Sequence, residues 1–82
     1  IFMNFLSLIS LRVRNLLKAN LWSQYDLSQR SGIPNSTLST VLKEKCKGVN
    51  SETLLNICRG FDIRIKDFFD DEMFEPENIL DD

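Results

Sequence analysis

One stretch constrains this chain more than any other: "SQRSGIPNSTLSTVLK", residues 28 to 43, which sets Gly32 and Pro34 between two segments that otherwise read as helix. Glycine enters the left-handed conformation that closes a helix without a Cβ penalty. Proline is welcome in the first turn of the next helix, where its missing N–H leaves no bond unmade. Two helices joined by a turn of about three to four residues with a glycine form a helix-turn-helix. Its close crossing calls for a small residue, and Ser28 follows the expected core residue Leu27. Ile33, Leu38 and Val41 fall on the inner side of the second helix.

The remainder fits a helical frame around that motif. Eighty-two residues make a single domain with one modest core. Three glycines and two prolines are too few for a turn-rich β fold. A first helix is expected over residues 4 to 20, with Phe5, Ile9, Val13, Leu16 and Leu17 recurring at helical spacing. Ser23 caps a second helix that ends at Ser31, its hydroxyl accepting from the N–H of Tyr25 or Asp26. The third runs over about residues 34 to 45, and "EKCKGVNS" is a loop. Ser51 opens a fourth with Glu52 in its first turn, favourably placed at the positive helix end; it ends near Gly60. "DIRIKDFF" alternates, but a lone strand there would have no partner, so a short fifth helix is expected from about Lys66. The expectation is an all-α, compact five-helix bundle over residues 1–70, followed by an acidic tail, 71–82, with Phe74, Ile79 and Leu80 as anchors. Met3 is the expected natural start, with Ile1 and Phe2 extraneous.

Composition narrows the function. There is no histidine, and Cys46 and Cys58 are the only cysteines, so a zinc finger is excluded. Cys58 lies on the apolar stripe of Leu54, Leu55, Ile57 and Phe61 and reads as a buried small hydrophobe. With no histidine, glycine-rich phosphate loop or nucleophile motif, no enzyme, metal site or cofactor is expected. The uncharged start "IFMNFLSLISL" lacks a basic region and a cleavage site and is too short to span a bilayer. No membrane association or small-molecule ligand is expected, and a cytoplasmic location is. Net charge is −2, but residues 12–47 hold seven Lys or Arg against two acids, and residues 48–82 hold three against ten. A basic half and an acidic half decide the field a polyanion feels.

The third helix carries residues that helix interiors disfavour. With Asn35 at zero and a turn of about 100° per residue, Ser39 falls near 40°, Lys43 near 80°, Ser36 near 100° and Thr40 near 140°. Leu38, Val41 and Leu42 fall on the opposite, aliphatic side. An ordinary solvated face would use Glu, Lys and Gln. Short side chains that donate and accept suit base edges in a major groove, where asparagine pairs with adenine and a threonine methyl meets the thymine methyl.

"RVRNLLKANLWSQYDLSQRSGIPNSTLSTVLK", with "SETLLNICRGFDIRIKDFF" after it, resembles the phage lambda repressor/Cro-type (XRE) helix-turn-helix family over about residues 9 to 70. The resemblance implies a small five-helix bundle that binds operator DNA as a dimer, in bacteria, phages and mobile elements. It implies that Gln24 bonds a backbone phosphate and braces the recognition helix, and that Asn35, Ser36 and Thr40 are base-reading positions. Ser39 joins that set from the polar arc. Lys43, Lys45 and Lys47 match the loop that runs along the phosphates, with Ser23 and Thr37 as further phosphate candidates. Three positions depart from the family pattern. Pro34 stands where a capping Ser or Thr is common, Glu44 replaces a frequent glycine, and Ser31 replaces a larger apolar residue, thinning the core between helices two and three.

The function expected is therefore sequence-specific binding of a double-stranded DNA operator by a transcriptional regulator, a repressor in the first instance. The rival is an antitoxin or protein-interaction adaptor of the same fold, using Phe68, Phe69, Met73 and Phe74 beside the acid. With no room for a separate sensor domain, regulation falls to concentration, a partner or proteolysis. A homodimer is expected, because one recognition helix reads too few base pairs. Its expected seam is the C-terminal helix and tail, with Phe69, Phe74, Ile79 and Leu80, helped by Phe2, Leu6 and Leu8. The alternative is a tail that folds back over the first helix and covers that surface within one chain.

Overall fold

The computed structural model describes residues 3–80. At the start of the chain, extended Asn4 turns into the first helix and accepts from the Ser7 N–H at 2.9 Å, capping it. This helix, α1, spans Phe5–Asn20. Ser23 begins α2, Gln24–Ser31, through a reciprocal cap: its hydroxyl accepts from Asp26 N and its own N–H donates to the Asp26 carboxylate. Those bonds hold the Asp26 carboxyl below its ordinary pKa, the backbone donor foremost. After the turn, α3 covers Asn35–Leu42. Asn50 caps α4, Ser51–Phe61, with its side chain on Thr53 N at 2.7 Å. The short α5 is Ile65–Phe68.

Helix starts and stops agree closely with expectation in four places and differ in one. The third helix, expected over about 34 to 45, is shorter. Pro34 sits at its N-cap without a side-chain cap bond, and Lys43 ends it. The reason is Glu44, which adopts the left-handed conformation at φ +57° that a glycine would favour.

The core is made by α1 to α5 together: Ile9, Val13, Leu17, Leu27, Ile33, Leu38, Leu42, Ile57, Cys58, Phe61 and Phe68 form one buried cluster. Cys58 is part of it, and burial pushes its thiol pKa up. The side of α1 expected to be surplus is not surplus. Leu6 and Leu8 are buried, whereas Phe5, expected inward, is 47% exposed. The tail folds back on the start of α1 and meets Phe5 there. Two 3-10 turns, Glu72–Phe74 and Pro76–Asn78, carry the chain to Ile79–Leu80 (β2), which pairs in parallel with Met3–Asn4 (β1). The register is Met3 with Ile79 and Asn4 with Leu80. Phe74 packs edge-on against Phe5 and Phe69, at centroid distances of 6.2 and 4.8 Å. Residues 62 to 69 form no strand, and among the described residues this two-residue ladder is the one departure from an all-helical chain. Ile1 and Phe2, the latter offered for the seam, lie outside the described residues, as do Asp81 and Asp82.

Ser31, expected to thin the core between the second and third helices, packs closely against α4. A Cβ built on Gly60 would lie 2.8 Å from the Ser31 Cβ and 3.1 Å from its Cα. The small side chain of α2 meets a glycine of α4, and the two backbones close the space that a larger residue would fill.

Candidate nucleic-acid interface

The turn between α2 and α3 is closed by its own side chains. Gly32 takes φ +74° and donates its N–H to Ser28 O at 3.0 Å. The buried Ser28 hydroxyl donates to Ile33 O at 2.6 Å, and Ile33 N donates to the Ser31 hydroxyl at 3.1 Å. The polar groups that the reversal brings to the core thereby find partners. The result fixes α3 at a set angle to α2, with Leu38, Val41 and Leu42 buried beneath it.

The opposite side of α3 is open. Asn35, Ser36, Thr37 and Thr40 are exposed, and Ser39 is half-buried. The Thr40 hydroxyl donates to Ser36 O at 3.0 Å, which turns its methyl and oxygen to a fixed side of the helix. Gln24, at the start of α2, donates its amide to the backbone and side-chain oxygens of Asn35, at 3.2 and 2.9 Å. A contact between α2 and the first turn of α3 is thus made by the side chain expected to brace it. The Asn35 amide oxygen is held in that bond, and the residue as a whole stays exposed. Ser23 is occupied by the cap of α2, with its exposed hydroxyl oxygen already accepting from Asp26 N.

Lys43, Lys45 and Lys47 all lie exposed on the segment after α3. Among the described residues the ion pair is Arg64 with Asp67 at 2.9 Å, so none of the three lysines is neutralised by a carboxylate. Three unpaired cations beside a polar helix face make a surface suited to a polyanion. Beside them, Thr37, Thr40, Val41, Cys46, Val49 and Thr53 line a cleft of about 220 Å³. The Cys46 thiol is directed at Thr40 O, 3.9 Å away.

Three bonds to the far end of α3 lie outside the sequence-based expectation. Ser7, Ser10 and Arg14, all on α1, bond to the Glu44 carboxylate, to Leu42 O and to Leu42 O respectively. Their spacing of three and four sets them on one side of α1, and that line is legible in the sequence. What it bonds to is not.

A family model described as the Cro/C1-type HTH DNA-binding domain matches residues 12–73. No curated protein and no solved structure matches the chain. No helix among the described residues is long and apolar enough to cross a membrane.

Proposed function

This chain belongs to the Cro/C1-type helix-turn-helix DNA-binding family, and from that premise we propose that it represses transcription by reading a specific duplex operator with α3. The observation that carries this reading is the exposed arc of Asn35, Ser36 and Thr40 on a helix whose other side is buried. Laid in the major groove, that arc presents an amino donor, two hydroxyl oxygens and a methyl to base edges. Ser39, half-buried, sits at the margin of the contact. Gln24, Ser23 and Thr37 would face one backbone strand and Lys43, Lys45 and Lys47 the other, fixing register without reading sequence. Binding of this kind belongs with the genome, in the cytoplasm of a bacterial or phage-infected cell.

A homodimer on a two-fold operator is part of the proposal, since paired half-sites one helical turn apart supply the information a single helix lacks. Its seam is the tail side of the molecule. Leu6 and Leu8 are spent inside the chain, but Phe5 stays about half exposed beside Phe69 and Phe74, as does Leu80 at the end of β2. The same aromatic cluster, rimmed by carboxylates, is what favours the second reading, an antitoxin or adaptor that docks a protein there.

In vitro selection of bound DNA from a random pool tests both. The repressor reading expects one recovered motif with two-fold symmetry, and recovery of unrelated sequences would overturn it.

A further inference from the structure

A helix leaves its last four carbonyls without partners from its own turns. In α3, three of them are met by the backbone that follows. Ser39 O accepts from Lys43 N at 2.9 Å, Thr40 O from Lys45 N at 2.9 Å, and Val41 O from Glu44 N at 3.0 Å. The fourth, Leu42 O, is met from another helix. It accepts from the Ser10 hydroxyl at 3.1 Å and from the Arg14 guanidinium. Two residues further on, the Ser7 hydroxyl donates to the Glu44 carboxylate, on the left-handed residue that ends the helix.

Ser10 is 2% exposed, among Leu8, Ile9 and Val13, where an aliphatic side chain would add to the core. A hydroxyl at such a place costs burial energy unless it makes a bond, and its bond is to α3. The need for one is plain from α3 itself. Eight residues are too short to persist as an isolated helix, and Pro34 gives it no side-chain cap. Its start is held by Gln24 and its end by the line Ser7, Ser10 and Arg14.

We propose that this line on α1 sets the pose of α3 against DNA, making Ser10 and Arg14 positioning residues for base discrimination although Ser10 itself cannot reach a base. The inference rests on α3 being the reading helix. Hydrogen bonds to base edges weaken over a few tenths of an ångström and a few tens of degrees, whereas phosphate attraction tolerates such shifts. Loosening the end of α3 therefore erodes discrimination before it erodes attraction.

The test uses the full chain, as Ser10→Ala and Arg14→Lys, on the selected operator and on a random-sequence duplex of equal length. Arg14→Lys keeps the charge at an exposed site, so it keeps the fold even where Ser10→Ala does not. The expected result is a fall of about tenfold in operator affinity, the worth of one hydrogen bond. Affinity for the random duplex and the salt slope should stay as in the parent. An unchanged ratio of operator to random binding in the folded variants would overturn the inference. So would an equal fall on both duplexes in Arg14→Lys, which would make Arg14 a phosphate ligand and nothing more. A parent that binds both duplexes alike overturns the reading of α3, and this inference with it.

Discussion

Leu21 ends α1 at φ +57°, the left-handed conformation in which an L side chain crowds its own carbonyl, and its side chain is 92% exposed. It therefore carries strain with almost no packing in return. Leu21→Gly is expected to raise stability by about 0.5–1 kcal/mol in chemical denaturation, the relief of strain exceeding the extra freedom of glycine in the unfolded chain. Gly60 is the opposite case. Alanine is the better helix former, yet its Cβ would lie 2.8 Å from that of Ser31 and 3.0 Å from Leu27 Cδ1. Gly60→Ala should destabilise by about 1–3 kcal/mol as α2 and α4 are pushed apart, again read by chemical denaturation. Adding Ser31→Gly removes one of the clashing atoms and should recover part of that stability. Placing a glycine at the first position relieves the backbone itself, whereas removing one at the second crowds what stands next to it.

At the scale of elements, α3 is a short helix that depends on its surroundings: buried on one face, clamped at both ends and open on the other. Asn35→Ala and Thr40→Ala act on the open face. Each should cost about 1–3 kcal/mol on the preferred operator, leave random-duplex binding nearly unchanged and relax the base preferred there, as competition assays with variant sites would report. Asn35→Ala also frees the Gln24 amide from one of its two oxygens, so the double variant with Gln24→Ala should lose less than the sum of its parts. The segment after α3 works differently. Lys43→Ala or Lys47→Ala should weaken binding to every duplex alike, lowering the slope of log affinity against log salt by about one unit for each phosphate that is no longer neutralised.

The whole molecule is electrically divided. Seven of the ten basic residues lie on α1, at Arg30 of α2 and on the segment after α3, and Asp70, Asp71, Glu72, Glu75 and Glu77 stand exposed towards the C-terminal end. Salt should therefore act with opposite signs on the two proposed associations. Screening weakens attraction of the basic half to DNA, and it relieves repulsion between two tails brought together across a seam of Phe5, Phe74 and Leu80. Sedimentation at micromolar concentration should show more dimer at high salt than at low. A chain ending at Asp71 should stay monomeric under both conditions and unfold at lower denaturant, since it lacks Phe74 and the pairing of β2 with β1. A dimer that persists without the tail would place the seam elsewhere.

Much of this is legible in the chain itself, because it depends on neighbours a few residues away. Ser23 and Asp26 cap each other, Gly32 turns left-handed, and the apolar residues of α3 recur with the helical period, all from local chemistry. The family resemblance and the arc of Asn35, Ser36 and Thr40 belong to the same class of signal. Contacts between distant residues are not legible in this way. That Ser10 and Arg14 converge on Leu42 O depends on how α1 lies across α3, and a spacing of polar residues does not state its partner. That Ser31 faces Gly60, so that a missing side chain becomes a close helix contact, is decided by two backbones far apart along the chain. The pairing of Ile79 with Met3 joins the ends of the described chain, where each two-residue strand alone has too little pattern to be recognised. Local sequence determines where a helix can begin, end and bury a face; only tertiary packing decides which carbonyl, glycine or strand edge that face will meet.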